Sequence, residues 1–176
     1  MSFNFAVNHK SSNHDGFIND FDFDTIYDSK GNEFIVLDGS CAEKDISNIE
    51  ITDKTAFEVV ENHIHVIERI SFVKLFFLQQ KCKKLCLRFL LSLKKKYPTH
   101  NFIVYVTLTL HDAMILRFHQ KWKDEADYYS DTVPYKNTIL IKMAAVENEY
   151  TFIITNGTIF GRIKNAFKSI RGRFLD

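Results

Sequence analysis

Seven histidines and three cysteines are the side chains of this 176-residue chain with the most chemistry open to them. His63 and His65 are two residues apart, so they diverge on a helix and share a face on a strand. His100, His111 and His119 fall at or near one predicted β-hairpin, with His111 at its tip and His119 far down the second arm. Strands rise about 3.3 Å per residue, which puts those two well over about 20 Å apart, too far to share an ion. The sequence has no HExxH, no paired CxxC, no glycine-rich phosphate loop and no dinucleotide fingerprint. Cys82 and Cys86 lie one helical turn apart on an apolar stripe, where a buried thiol pair is expected. A nucleophile would need an exposed site and a neighbouring base, and His119 is the one candidate base. Asn156, Gly157 and Thr158 at a helix start could hold an anion, but helix capping accounts for them. One enzymatic reading is left, a hydrolase using His119 with an acid from segment 124–131. No catalytic residue, metal or cofactor is assigned, and the chain is read as a non-enzyme.

Surfaces offer more. Phe118-His119-Gln120-Lys121-Trp122 leads into Asp124, Glu125, Asp127, Tyr128, Tyr129 and Asp131. Acids interleaved with adjacent tyrosines suit protein recognition, since the rings supply contact area and the acids steer encounter. Asp22 and Asp24 on an N-terminal hairpin form a second acidic face. Charge is divided along the chain: residues 1–50 hold ten acids and three bases, a net of −7, and residues 51–176 hold twelve acids and twenty bases, a net of +8. Basic runs at 81–97 and 159–173 raise nucleic-acid binding as the alternative. Neither run carries a stacking platform or a groove-reading motif.

The elements that must position these residues follow from periodicity. Residues 101–122 alternate with period two on both sides of His111-Asp112-Ala113, which predicts a long central hairpin. Its even-numbered residues are the core face. Pairing Leu110 with Met114, Leu108 with Leu116 and Val106 with Phe118 keeps the apolar set together across a three-residue loop. Residues 21–27 and 33–38 predict a first hairpin around the turn residues 28–32. Between 52 and 97 there is neither Gly nor Pro. A first helix capped by Thr52 or Asp53 is expected through Ala56, Phe57, Val60, Ile64 and Ile67, with Ser71 a second start or a kink before helical spacing from Phe72 to Lys96, stopped by Pro98. After a polar loop at 123–137, strands are expected at 138–143 and 149–155, and a last basic helix from 159 to about 174.

Helices grouped between antiparallel hairpins predict an α+β fold, with an antiparallel sheet built on the central hairpin and packed against amphipathic helices. The length suits a single domain spanning 1–176, with the acidic segment 1–50 free to sit at its periphery. Hydrophobic residues at 45% can form a core. No apolar run is long enough for a membrane span and no secretory leader is evident, so no membrane partner is expected. An odd, scattered set of three cysteines makes no disulfide framework, which fits a cytoplasmic protein.

The run LRFHQKW, DE and YY at the end of a hairpin, in a small Phe-rich α+β chain without enzyme motifs, resembles bacterial immunity proteins of polymorphic-toxin and contact-dependent growth-inhibition systems. The resemblance implies a cytoplasmic, non-enzymatic protein that binds the C-terminal domain of one secreted toxin and occludes its active site. Many such toxins are nucleases with basic clefts, and an acidic inhibitor surface would suit them. Immunity proteins use diverse faces, so no contact residue is carried over. On charge and residue type alone, Asp124, Glu125, Asp127, Tyr128 and Tyr129 are the first candidates for partner contact, with Asp22 and Asp24 second.

Overall fold

The computed structural model describes residues 21–38, 45–130, 135–147 and 149–157. The N-terminal segment, Cys41, Asp131 and the expected basic helix at 159–174 lie outside the described residues. Among these residues the fold is α+β. A two-stranded hairpin, β1 (Phe23–Tyr27) and β2 (Glu33–Leu37), accompanies a five-stranded antiparallel sheet in the order β3-β5-β4-β6-β7. Those strands are β3 (His63–Ile67), β4 (Phe102–Thr109), β5 (Met114–Gln120), β6 (Thr138–Val146) and β7 (Glu149–Asn156). Two helices complete it, α1 (Lys54–Glu61) and α2 (Phe72–Lys96).

The helix α2 lies across one face of the sheet. Ser71 caps its start by accepting from the Lys74 N–H, and Lys94, Lys95 and Lys96 occupy its last turn, where cations offset the helix dipole. Its buried stripe (Leu75, Cys82, Leu85, Cys86, Phe89, Leu90 and Leu93) meets the even-numbered face of the central hairpin, from Phe102 to Phe118. Both thiols are buried: burial pushes the Cys82 thiol up to about 12 and the Cys86 thiol up further. The first hairpin is not a peripheral attachment. Phe23 packs edge-on against Phe89 and Phe118, and Ile35 and Leu37 enter the same core.

Two local expectations are corrected. Leu108 pairs with Met114, Val106 with Leu116 and Val104 with Phe118, two residues away from the expected register. Leu110 and His111 are held by other partners: Leu110 donates to the Asn137 carbonyl, His111 donates to that of Ile70, and Leu110 bridges Ile70. The connection widens accordingly, with His111 at positive φ. A slip of two leaves every side chain on its expected face, so the core is unaffected. The first helix also ends early, at Glu61, and 63–67 is the edge strand β3 paired with β5. Ile64 thereby reaches the core as a strand residue.

Asn62 ends α1 because its side chain is required elsewhere. The outer edge of β2 presents alternate backbone groups away from β1, and three side chains meet them. Asn62 Oδ1 accepts from the Leu37 N–H at 2.9 Å, and its Nδ2 donates to the Ile35 carbonyl at 2.8 Å. Gln120 Nε2 donates to the Glu33 carbonyl at 2.8 Å. Glu58 accepts from the Ile35 N–H at 3.1 Å, and also from the Gln120 N–H (2.7 Å), Gln120 Nε2 (2.9 Å) and Trp122 Nε1 (3.0 Å). The Glu58 side chain is wholly buried, at 0% exposure. Burial pushes its carboxyl from 4.5 up to about 7, and the donors led by Gln120 limit that rise.

Replacing Glu58 by Gln puts an amide N–H against groups that are all donors. Glu58→Gln is expected to cost about 2–4 kcal/mol in denaturant unfolding and to speed amide exchange in β2. The pH dependence has a definite sign. A carboxyl raised in the folded state contributes stability that is complete below its unfolded value and is lost as pH rises through about 7. Stability relative to Glu58→Gln should therefore fall as pH rises from 4.5 towards about 7, measured by unfolding at a series of pH values.

Candidate functional site

The chain leaving β5 turns back over the opposite face of the sheet. Trp122 is fixed first: its Nε1 donates to Glu58, its ring lies 5.5 Å from that of Phe34, and Lys54 Nζ stands 4.6 Å above it. Glu125 then reaches the start of α1. Its Oε1 accepts from the Lys54 N–H at 3.1 Å and its Oε2 from the Thr55 N–H at 2.6 Å. These are amides that a helix N-terminus leaves without internal partners, and Asp53 serves a third by accepting from the Ala56 N–H at 2.8 Å. Partial burial raises the Glu125 carboxyl, but the Thr55 and Lys54 hydrogen bonds outweigh it and hold the group below its usual value.

Asp127 docks the loop on the sheet. Its two oxygens lie 2.6 Å from Lys121 Nζ and 2.6 Å from Lys142 Nζ, and Lys142 is buried in β6. Burial raises this carboxyl, yet the two lysines outweigh it and leave it below the usual range. Tyr129 packs on the odd-numbered face, with ring centroids 5.0 Å from Tyr105, 4.9 Å from Tyr128 and 5.3 Å from Tyr135. Burial pushes its hydroxyl above the usual value.

The five loop candidates therefore divide by task. Glu125, Asp127 and Tyr129 build the loop, and Asp124 and Tyr128 are exposed on it. Asp22 and Asp24 are also exposed, but they belong to the first hairpin, whose Phe23 carbonyl accepts from Lys96 at the far end of α2. Nothing brings them to the loop.

What the structure adds is α1 itself. Two shallow grooves flank it. One, of about 430 Å³, runs between Asp53, Thr55, Glu125, Asp127 and Tyr128, and the other, of about 380 Å³, between Glu50, Asp53, Phe57, Val60 and Glu61. Ile49 and Val60 are exposed beside them. Sequence reading gave Asp53 a cap and Val60 a buried face. The available signal was the acid density of 50–61, but only the docking of the loop joins it to Asp124 and Tyr128.

His119 has no exposed surface. Its Nδ1 donates to the Gln120 carbonyl at 2.6 Å, which leaves Nε2 to face the Tyr105 hydroxyl at 3.2 Å, and burial lowers its pKa to about 4. It is a neutral core histidine with neither nitrogen turned to solvent. Among the described residues no group of three or more His, Cys, Asp or Glu is placed to hold a metal ion. Asp127→Asn removes the carboxylate from a buried ammonium. It is expected to cost about 2–3 kcal/mol and to increase amide exchange across 121–130, with Lys142→Met in the same chain restoring part of the loss in a double-mutant cycle.

Compared with family models, curated proteins and solved structures, the chain finds no match.

Proposed function

We propose that the protein is an immunity-type inhibitor that binds a cognate secreted toxin domain, with nuclease the favoured activity, and occludes its basic active site. The observation behind this reading is the preorganised surface around α1. Asp124 and Tyr128 are presented on a loop fixed at both ends by Glu125 and Asp127, beside Glu50, Asp53 and Glu61 and the exposed apolar residues Ile49 and Val60. A loop already held in one conformation loses little entropy on binding, which favours tight association. Glu125 and Asp127 neutralise groups of this chain and Glu50 pairs with Lys30, so the steering charge falls to Asp124. Tyr128 supplies an aromatic anchor of the kind that dominates binding energies.

The nucleic-acid alternative rests on the basic runs 81–97 and 159–173, of which the second lies outside the described residues.

The test takes the C-terminal domain of any large secreted protein whose gene adjoins that of this chain. Asp124→Lys should slow association roughly tenfold and flatten its salt dependence, and Tyr128→Ala should speed dissociation roughly tenfold, both by surface plasmon resonance. Unchanged rates in both variants would remove this surface from the interface. Absence of any wild-type complex would remove the reading itself.

A further inference from the structure

The outer face of α2 has no part in the surface just described. At 100° per residue, Lys74, Phe77, Lys84, Leu91 and Lys95 fall in one band along the helix, with Leu87 at its margin. All are exposed: Phe77 at 73%, Leu91 at 48% and Leu87 at 42% among the apolar residues. Lys81 and Arg88 share the band and have contacts of their own within the chain. From 72 to 97 there is no acidic residue. Next to the band, Lys83 Nζ lies 5.0 Å from the ring of Phe152 on β7, and Phe152 and Tyr150 are both exposed.

We propose that this outer stripe of α2 binds the surface of an anionic phospholipid bilayer, its lysines among the headgroups and Phe77, Leu87 and Leu91 seated at the acyl boundary. The alternatives suit the residues less well. A second copy laid on the same stripe would set lysines against lysines. Protein interfaces are depleted in lysine at their cores, whereas here lysines and apolar residues interleave. A phosphate backbone would reward the lysines but gain nothing from Leu87 and Leu91. An anionic lipid surface uses both kinds of side chain at once. From Lys74 to Lys95 the band extends about 32 Å along α2, and a line of cations that long fits a plane. No described helix is long and apolar enough to cross a membrane, and surface contact needs no span.

The full chain, sedimented with vesicles of phosphatidylcholine alone or mixed with phosphatidylglycerol, tests this. Binding to the mixed vesicles only, weakened by added salt, is expected. The double variant Lys84→Gln, Lys95→Gln should bind them roughly thirtyfold more weakly. The pair Phe77→Ser, Leu91→Ser should also weaken binding but leave its salt dependence intact. These positions are exposed, and circular dichroism checks that the variants stay folded. No wild-type binding to mixed vesicles overturns the proposal without recourse to any variant. So does equal binding to both vesicle types, or tighter binding to duplex DNA that the lysine variant abolishes.

Discussion

A carboxylate without a counter-charge among its hydrogen-bond partners sits where three parts of this molecule meet. Glu58 is donated by α1, accepts from the β2 backbone, and accepts from the end of β5 and the indole that starts the loop. Burying such a group is unfavourable unless its oxygens are fully satisfied. Each oxygen here takes two donors, which offset part of that cost, and only when hairpin, helix and sheet are all in place. The same bonds that make the burial tolerable also fix Trp122, and through it the direction in which the acidic loop departs. The geometry of the candidate surface thus begins in the core.

The loop repeats that logic on a smaller scale. Its acids looked like a solvated partner surface, and two of them turn out to be internal connectors, one on helix amides and one between two lysines. Acidic composition is then not the same as available negative charge. What remains outward is a small acidic and apolar rim around α1, made mostly of residues from the part of the chain that carries the net positive charge. The strongly basic band of α2 is a different surface. The near-zero net charge of the whole chain conceals two surfaces of opposite character.

Sequence reading reached the fold class, the parity of the central hairpin and the helix from Phe72 to Lys96, because these depend on local periodicity. It could not reach the hairpin register. That is set by Ile70 and Asn137, which are distant in sequence and compete for Leu110 and His111. Nor could it see the end of α1, since residues 63–67 fit either period and the open edge of β5 decides between them. Glu58 carries no signal of its own within the expected first helix. Its role exists only once β2 has docked. Tyr128 and Asp124 were legible as exposed polar and aromatic residues, but their neighbours on α1 were not, because the juxtaposition is made by Glu125 across 70 residues of chain.

The side chains that line the outer edge of β2 have a consequence for how the protein behaves in company. A two-stranded hairpin normally leaves a row of open amides and carbonyls that any passing strand can extend, a common route to runaway sheet growth. Asn62, Gln120 and Glu58 act here as a substitute third strand, assembled from a helix end and a sheet end. Because they are tethered to the core, they cannot themselves be extended. The hairpin is closed on that side without a further strand, and a chain rich in phenylalanine keeps one of its stickiest edges out of reach of its neighbours.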